Sequence, residues 1–190
     1  MKKILSGFSG LVLLLGVAFS AIGAQHKPCC GMPAAPAAVA APAAGNDVKT
    51  YAECKYCGMN REKFAFSRVL IEYDDGTVMG LCSIHCAAVD LANNLDRAPK
   101  SIKVGDYNSR ELIDAEKAFW VMGGAKQGVM TRQPKWAFAK EDDAKKFIKE
   151  NGGTLVTFDQ AMKAAYDDMF QDTKMLREKR KMMRMKMEKK

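Results

Sequence analysis

The sequence predicts an α+β fold, two ββαβ units followed by a C-terminal helix, and three patterns lead to it. A strand, a turn, a second strand, a helix and a third strand follow one another between Phe66 and Gly105. The same order returns between Ala118 and Phe158, and an apolar stripe at helical spacing begins after Asp159. The repeat is one of order, because few residues coincide between the halves. Together they make a domain of about 110 residues, an ordinary size for one hydrophobic core.

Before the first strand come two segments of other character. Residues 1–24 open with Lys2 and Lys3, run apolar from Ile4 to Ile22 and end in small residues, the layout of a secretory signal peptide. An uncleaved anchor is the alternative, since the run is nearly long enough to span a bilayer. Either way the remainder is expected to be exported, to the periplasm, and without a lipid anchor, because Gln25-His26-Lys27-Pro28 separates the small residues from Cys29. Residues 25–47 are an arm bearing Cys29, Cys30 and Met32, then an Ala/Pro-rich linker that cannot bury a core.

The folded domain is expected over residues 48–165. Phe66 to Tyr73 alternates apolar with polar residues, Asp74-Asp75-Gly76 is a turn, and Thr77 to Leu81 returns as the second strand of a hairpin. Ser83 to Asn93 is a helix, with Ile84, Ala87, Ala88, Leu91 and Leu95 at helical spacing. Ser101 to Gly105 is the third strand. In the second half Ala118 to Met122 and Lys135 to Ala139 read as strands around the Gly-containing loop Gly123 to Arg132. Glu141 to Asn151 is a helix stopped by Gly152-Gly153, and Thr154 to Phe158 is the closing strand. Asp159 is taken as the N-cap of the last helix, whose apolar stripe of Met162, Ala165, Tyr166, Met169 and Phe170 lasts to about Leu176. Residues 166–190 form a basic, Met-rich helix or tail, solvated at its end.

Charge narrows the function. The formal charge is +8, yet Lys174 to Lys190 holds nine Lys/Arg against two Glu, and residues 25–173 carry 19 basic and 20 acidic side chains. The globular part therefore has no basic face for nucleic acid, and the tail is left with weak contact to anionic membrane surfaces. Two His and no nucleophile, base and acid in motif spacing offer no catalytic constellation, so the protein is not expected to be an enzyme.

What stands out is sulfur, six Cys and 13 Met in 190 residues. Cys54-Lys-Tyr-Cys57 and Cys82-Ser-Ile-His-Cys86 bracket the first hairpin, so the two pairs lie at one end of it in space. That is the geometry of a metal site, although two structural disulfides or a structural zinc knuckle would use the same spacing. Met59 favours a softer ion, because thioethers suit Cu(I) and are of little use to Zn(II). His85 is a further candidate ligand through a ring nitrogen, or else a helix-start capping group. Met130, in the glycine-containing loop, is either a hydrophobic plug or another thioether donor. The Met182, Met183, Met185 and Met187 cluster can hold a soft ion weakly, or simply be a solvated basic helix.

The order of Cys54-Lys-Tyr-Cys57-Gly-Met59, the hairpin, Gly-Val-Met130, Lys135-Trp136-Ala-Phe138, Asp143-Ala144-x-x-Phe147 and Gly152-Gly-Thr-Leu-Val-Thr-Phe158-Asp159 resembles the NosL family over roughly Thr50 to Ala165. The resemblance implies an exported copper-binding accessory protein linked to maturation of nitrous oxide reductase, carrying one Cu(I) on a fold similar to organomercurial lyase. The first cysteine region also resembles a TRASH-type heavy-metal module, in which C-x-x-C is followed by C-x-x-x-C at a helix start. Cys82 and Cys86 and the missing lipid-anchoring motif depart from the usual family pattern, which puts the particular client in question. The expectation is a periplasmic Cu(I) metallochaperone with Cys54, Cys57, Met59, Cys82, Cys86, His85 and Met130 as candidate ligands. Its partner would be a copper enzyme or copper-delivery protein. The alternatives are a zinc- or disulfide-stabilised interaction module and a mercury-type thiol enzyme or sequestration protein.

Overall fold

A computed structural model describes residues 46–188. The predicted signal peptide, the arm with Cys29, Cys30 and Met32, and the Ala/Pro linker lie outside the described residues. Eleven elements follow in order: α1 (Asp47–Thr50), β1 (Val69–Tyr73), β2 (Val78–Leu81), α2 (Ile84–Asn93), β3 (Pro99–Gly105), β4 (Leu112–Asp114), β5 (Phe119–Met122), β6 (Lys135–Phe138), α3 (Glu141–Asn151), β7 (Thr154–Val156) and α4 (Phe158–Met187).

They form two antiparallel sheets of strand order β2-β1-β3-β4 and β6-β5-β7. In each sheet the earliest strand is central, flanked by the two that follow it in the chain. The hairpin register pairs Val69 with Leu81 and Ile71 with Met79, which brings residues before β1 and after β2 to the same end. β4 is an added edge strand that the sequence pattern does not signal, a three-residue run held by pairing with β3. No helix among the described residues is long and apolar enough to cross a membrane.

Val69, Ile71 and Tyr73 point one way from β1 into the core, with Leu81, Ile84, Ala87, Ala88 and Val104. The expected polar face of this strand is not solvated, however. Arg68, just before β1, is buried on that side, because it and the fully buried Arg61 converge on the carboxylate of Asp47 in α1. β6 departs from alternation in the same way, all four residues being buried, since α3 and an aromatic cluster of Phe66, Tyr107, Trp136, Phe138 and Phe147 cover it.

Two placements correct the sequence reading, and a third decides between its alternatives. Leu95 is 87% exposed beyond the end of α2, where the Asn94 side chain donates to the Asp90 carbonyl and closes the helix. The N-cap of α4 is Thr157, not Asp159: Thr157 accepts from the Gln160 backbone while the Gln160 side chain accepts from the Thr157 N–H. That capping box draws Phe158 into the helix, so β7 ends at Val156. Finally, α4 stays helical to Met187, with every residue from Arg177 to Glu188 exposed.

Candidate metal centre

Cys82 directly follows β2 and Cys86 sits in the first turn of α2, both on regular structure packed into the core. Cys54 and Cys57 belong to a loop that the chain must fold back. The Cys54 N–H donates to the Met59 carbonyl and the Gly58 N–H to the Cys54 carbonyl, both at 2.9 Å, closing a knuckle. Gly58 makes the turn at φ +71°, a conformation costly for a side chain with a Cβ. The loop lies close against β2: a Cβ on Gly80 would fall 2.5 Å from the Cβ of Tyr51.

The four sulfurs of Cys54, Cys57, Cys82 and Cys86 lie within 4.8 Å of one another. Cys57 Sγ is 3.4 Å from Cys82 Sγ, and Cys82 Sγ is 3.6 Å from Cys86 Sγ. A disulfide needs about 2.05 Å, and all four are free thiols. Four sulfurs around one ion at about 2.3 Å would sit about 3.8 Å apart, so the cluster is already near the spacing of a tetrahedral thiolate site. Cys54, Cys82 and Cys86 are buried, whereas Cys57 is partly exposed. The centre therefore has three interior ligating groups and one at the surface.

The sulfurs also share protons. Contacts from Cys57, Cys82 and Cys86 hold the Cys54 thiol well below its ordinary value despite its burial. Cys57 donates to Cys54, which raises it, but the contacts from Cys82 and Cys86 bring it below the ordinary value overall. Cys82 and Cys86 are pushed up because they face Cys54 and Cys57 and are deeply buried. Cys54 and Cys57 therefore give up their protons more readily than Cys82 and Cys86, and a cation bound by all four would displace the protons that remain.

The structure does not bring His85 into this group. Its buried ring turns to α4, where Nδ1 lies 3.4 Å from Asp172 Oδ2, and Asp172 Oδ1 accepts from the Arg132 N–H. Neither His85 Nδ1 nor Asp172 Oδ2 has a hydrogen-bond partner, so the approach is electrostatic rather than a formed bond. His85 joins α2 to α4 beside the cysteines. Met59 and Met130, in turn, line one cavity of about 610 Å³ that none of the four cysteines lines.

Several residues that shape the centre escape a reading of sequence patterns. Arg61 Nε donates to the Leu81 carbonyl, one residue before Cys82, while its other nitrogens reach Tyr51 and Val69 carbonyls and Asp47. This single side chain fastens the cysteine loop to the hairpin. Tyr56, between Cys54 and Cys57, donates to Asp90 Oδ1 on α2 at 2.7 Å, and Tyr73 donates to the other oxygen. Burial, then the Asp90 carboxylate, push the Tyr56 phenol up to about 12, so it remains a donor at neutral pH. A loop Arg and a Tyr inside a C-x-x-C segment are the only sequence signals, and neither names its partner.

A model of the NosL family matches residues 46–166. The chain belongs to the NosL family. Within this NosL protein the family match ends inside α4, leaving residues 167–187 of that helix beyond it. A curated relative, the HTH-type transcriptional repressor CutR of Bacillus subtilis (strain 168), is 32% identical over 122 residues, 64% of this chain and 60% of the repressor. The chain therefore spans about 60% of the length of that curated relative. The crystal structure of the copper chaperone NosL from Shewanella denitrificans is similar with 26% identity and a TM-score of 0.47, covering 56% of this chain and 87% of that one.

Proposed function

We propose that this NosL protein is an exported, non-catalytic copper(I) carrier of the periplasm. Cys54, Cys57, Cys82 and Cys86 hold the ion as thiolates and pass it to a copper enzyme or copper-delivery protein, with nitrous oxide reductase as the client that the family resemblance suggests. One observation carries the reading: four free sulfurs lie within 4.8 Å of one another, and Cys57 alone among them is partly exposed. Soft sulfur donors suit Cu(I), and an exposed ligand gives a partner thiol or thioether a place to attack. Met59 and Met130, which line one cavity, are kept as candidate further soft donors. The two sheets are read as two ββαβ units, and the basic, Met-bearing end of α4 as a weak contact for anionic surfaces. Nothing in this reading calls for nucleic acid.

Burial of three sulfurs also favours a second reading, a closed structural zinc site. The two differ in the apo state. Beside the cysteines, the core and the Asp47–Arg61–Arg68 cluster hold the fold through contacts that involve no thiol, so a carrier is expected to stay folded when empty. Anaerobic titration of the reduced protein with Cu(I) against a chromogenic competitor, with Zn(II) in parallel and circular dichroism on the apo form, tests this. Tight stoichiometric Cu(I) on a folded apo domain is the expected result. Zinc preference with an unfolded apo state would replace the carrier by a zinc-stapled interaction module.

A further inference from the structure

We propose that Phe66, Tyr107, Trp136, Arg110 and Lys126 form a binding site for a small planar aromatic carboxylate. These residues line a cavity of about 640 Å³ that no cysteine or methionine borders. Its size falls within the range of small-molecule sites, about 300–1,000 Å³. The inference is independent of the copper reading, since no sulfur enters it.

The ligand class follows from the lining. Three aromatic rings stand together, with centroids 6.0 Å apart for Phe66 and Tyr107, 5.5 Å for Tyr107 and Trp136, and 6.0 Å for Phe66 and Trp136. Such a wall receives a flat ring through offset or edge contacts. The other lining groups are the cations of Arg110 and Lys126 and the neutral amides of Asn108 and Gln127, with no carboxylate among them. Lys126 Nζ lies 5.7 Å from the centre of the Tyr107 ring, so one positive charge is already set against the aromatic wall. An aromatic cation is repelled by both charges and a neutral ring leaves them unused. An aromatic carboxylate matches the wall and the charges at once.

An unpaired donor sets this cavity apart from an incidental hollow. Trp136 is buried, yet its indole N–H has no acceptor among the described residues. Trp120, the other of the chain's two tryptophans, donates to the Ala115 carbonyl at 2.8 Å. Buried donors without a partner are uncommon in folded proteins. A ligand oxygen is the kind of acceptor that this one lacks.

Part of the site is also held in place before any ligand arrives. The buried Asp106 carboxylate accepts from the Asn108, Ser109 and Ala139 N–H groups, which fixes the turn carrying Tyr107 and Arg110. The Tyr107 N–H donates to the Ala137 carbonyl at 2.8 Å and ties that turn to β6, next to Trp136. Lys126 and Gln127 belong instead to the exposed glycine-containing loop, which leaves a way in from solvent. A preset aromatic wall lowers the ordering cost of binding.

The test is a titration of ¹⁵N-labelled protein with 2-naphthoate, followed by nuclear magnetic resonance at the two indole N–H signals and the backbone amides. The Trp136 indole and the Lys126 and Gln127 amides are expected to shift together and saturably, while the Trp120 indole stays still. The neutral 2-naphthamide and the non-aromatic cyclohexanecarboxylate should each bind about tenfold more weakly or worse, the scale of one lost hydrogen bond to a charged group. Lys126→Gln and Arg110→Asn, both at exposed positions and so expected to fold, should each weaken 2-naphthoate by about tenfold. Asn also tolerates the φ of +63° found at Arg110. The proposal is overturned by the absence of a saturable shift, by Trp120 moving with Trp136, by equal binding of 2-naphthamide or cyclohexanecarboxylate, or by wild-type affinity in either variant.

Discussion

The two cysteine pairs reach the same point by different means. Cys82 and Cys86 are placed by a strand end and a helix start, both buried in the core, so their positions follow from the packing of the hairpin and α2. Cys54 and Cys57 lie on a loop outside any strand or long helix, Cys54 buried in the core and Cys57 partly exposed, and their position depends also on Arg61, Tyr56 and the glycines that allow close approach. One half of the centre is therefore preset and the other is supported. A carrier gains from this division, because the supported half contains the one exposed sulfur and is where an ion can be exchanged.

The comparison can be broken most severely at Arg61. Replacing it with Leu or Ala leaves the Asp47 carboxylate buried with a single partner and frees the four backbone carbonyls of Asp47, Tyr51, Val69 and Leu81, and removing one member of a buried charged cluster typically costs about 3–5 kcal/mol. Denaturant unfolding should show a loss of that order, and Cu(I) affinity should fall with it because the cysteine loop is no longer tied to Leu81. An Arg61 variant with native stability would mean that the loop is held by something else.

Cys57→Ser isolates chemistry from folding. Cys57 is the partly exposed sulfur, so stability should change little, while Cu(I) affinity should fall about a hundredfold, which corresponds to about 2.7 kcal/mol. Competition titration reads the affinity, and an undiminished value would remove Cys57 from the centre. Cys86→Ser, on the preset half, should lower both affinity and stability, because a hydroxyl is then buried in an apolar core.

Tyr56→Phe sharpens the comparison at a single hydrogen bond. Asp90 keeps its contacts with Tyr73 and Asn94, so the expected loss is about 1–2 kcal/mol, in the range for bonds to charged groups. The informative readout is the rate of Cu(I) release, which should rise more than in Tyr73→Phe, because only Tyr56 lies in the cysteine loop.

The smallest effect concerns pH. Burial holds the His85 imidazole below its ordinary 6.5, and the nearby Asp172 only partly opposes this. The unfolded chain therefore takes up a proton before the folded one does. His85's share of stability is complete above about pH 6.5 and is lost as pH falls below it. Thermal unfolding of the apo protein from pH 7.5 down to 5 should show this decline, and His85→Gln should flatten it. Metal affinity should also fall as pH falls, because protons compete for the thiolates.

Much of the scaffold was legible in the sequence. The hairpin turn at Asp74-Asp75-Gly76, the α3 limits at Glu141 and Asn151 and the Gly152 stop all follow from local chemistry that acts within a few residues. The adjacency of the two cysteine pairs also followed, because a hairpin must return its chain to where it began. The cap of α4 was misplaced by two residues since Thr157 and Asp159 are both good caps, and only the reciprocal bond with Gln160 separates them. β4 stayed hidden because a three-residue strand is created by its neighbour rather than by its own pattern.

The sequence by itself determined the hairpin, the helices α2 and α3 and the spacing that lets four sulfurs meet, since each depends on residues near one another. Only the tertiary structure decided that Arg61 and Arg68 would be buried on Asp47, and that His85 would turn to Asp172 rather than to the cysteines. It also decided that Met59 and Met130 would share a cavity with Met175. These placements relate residues up to 116 positions apart, from Met59 to Met175, and what a side chain faces at such range is set by how whole elements pack, which no local pattern encodes.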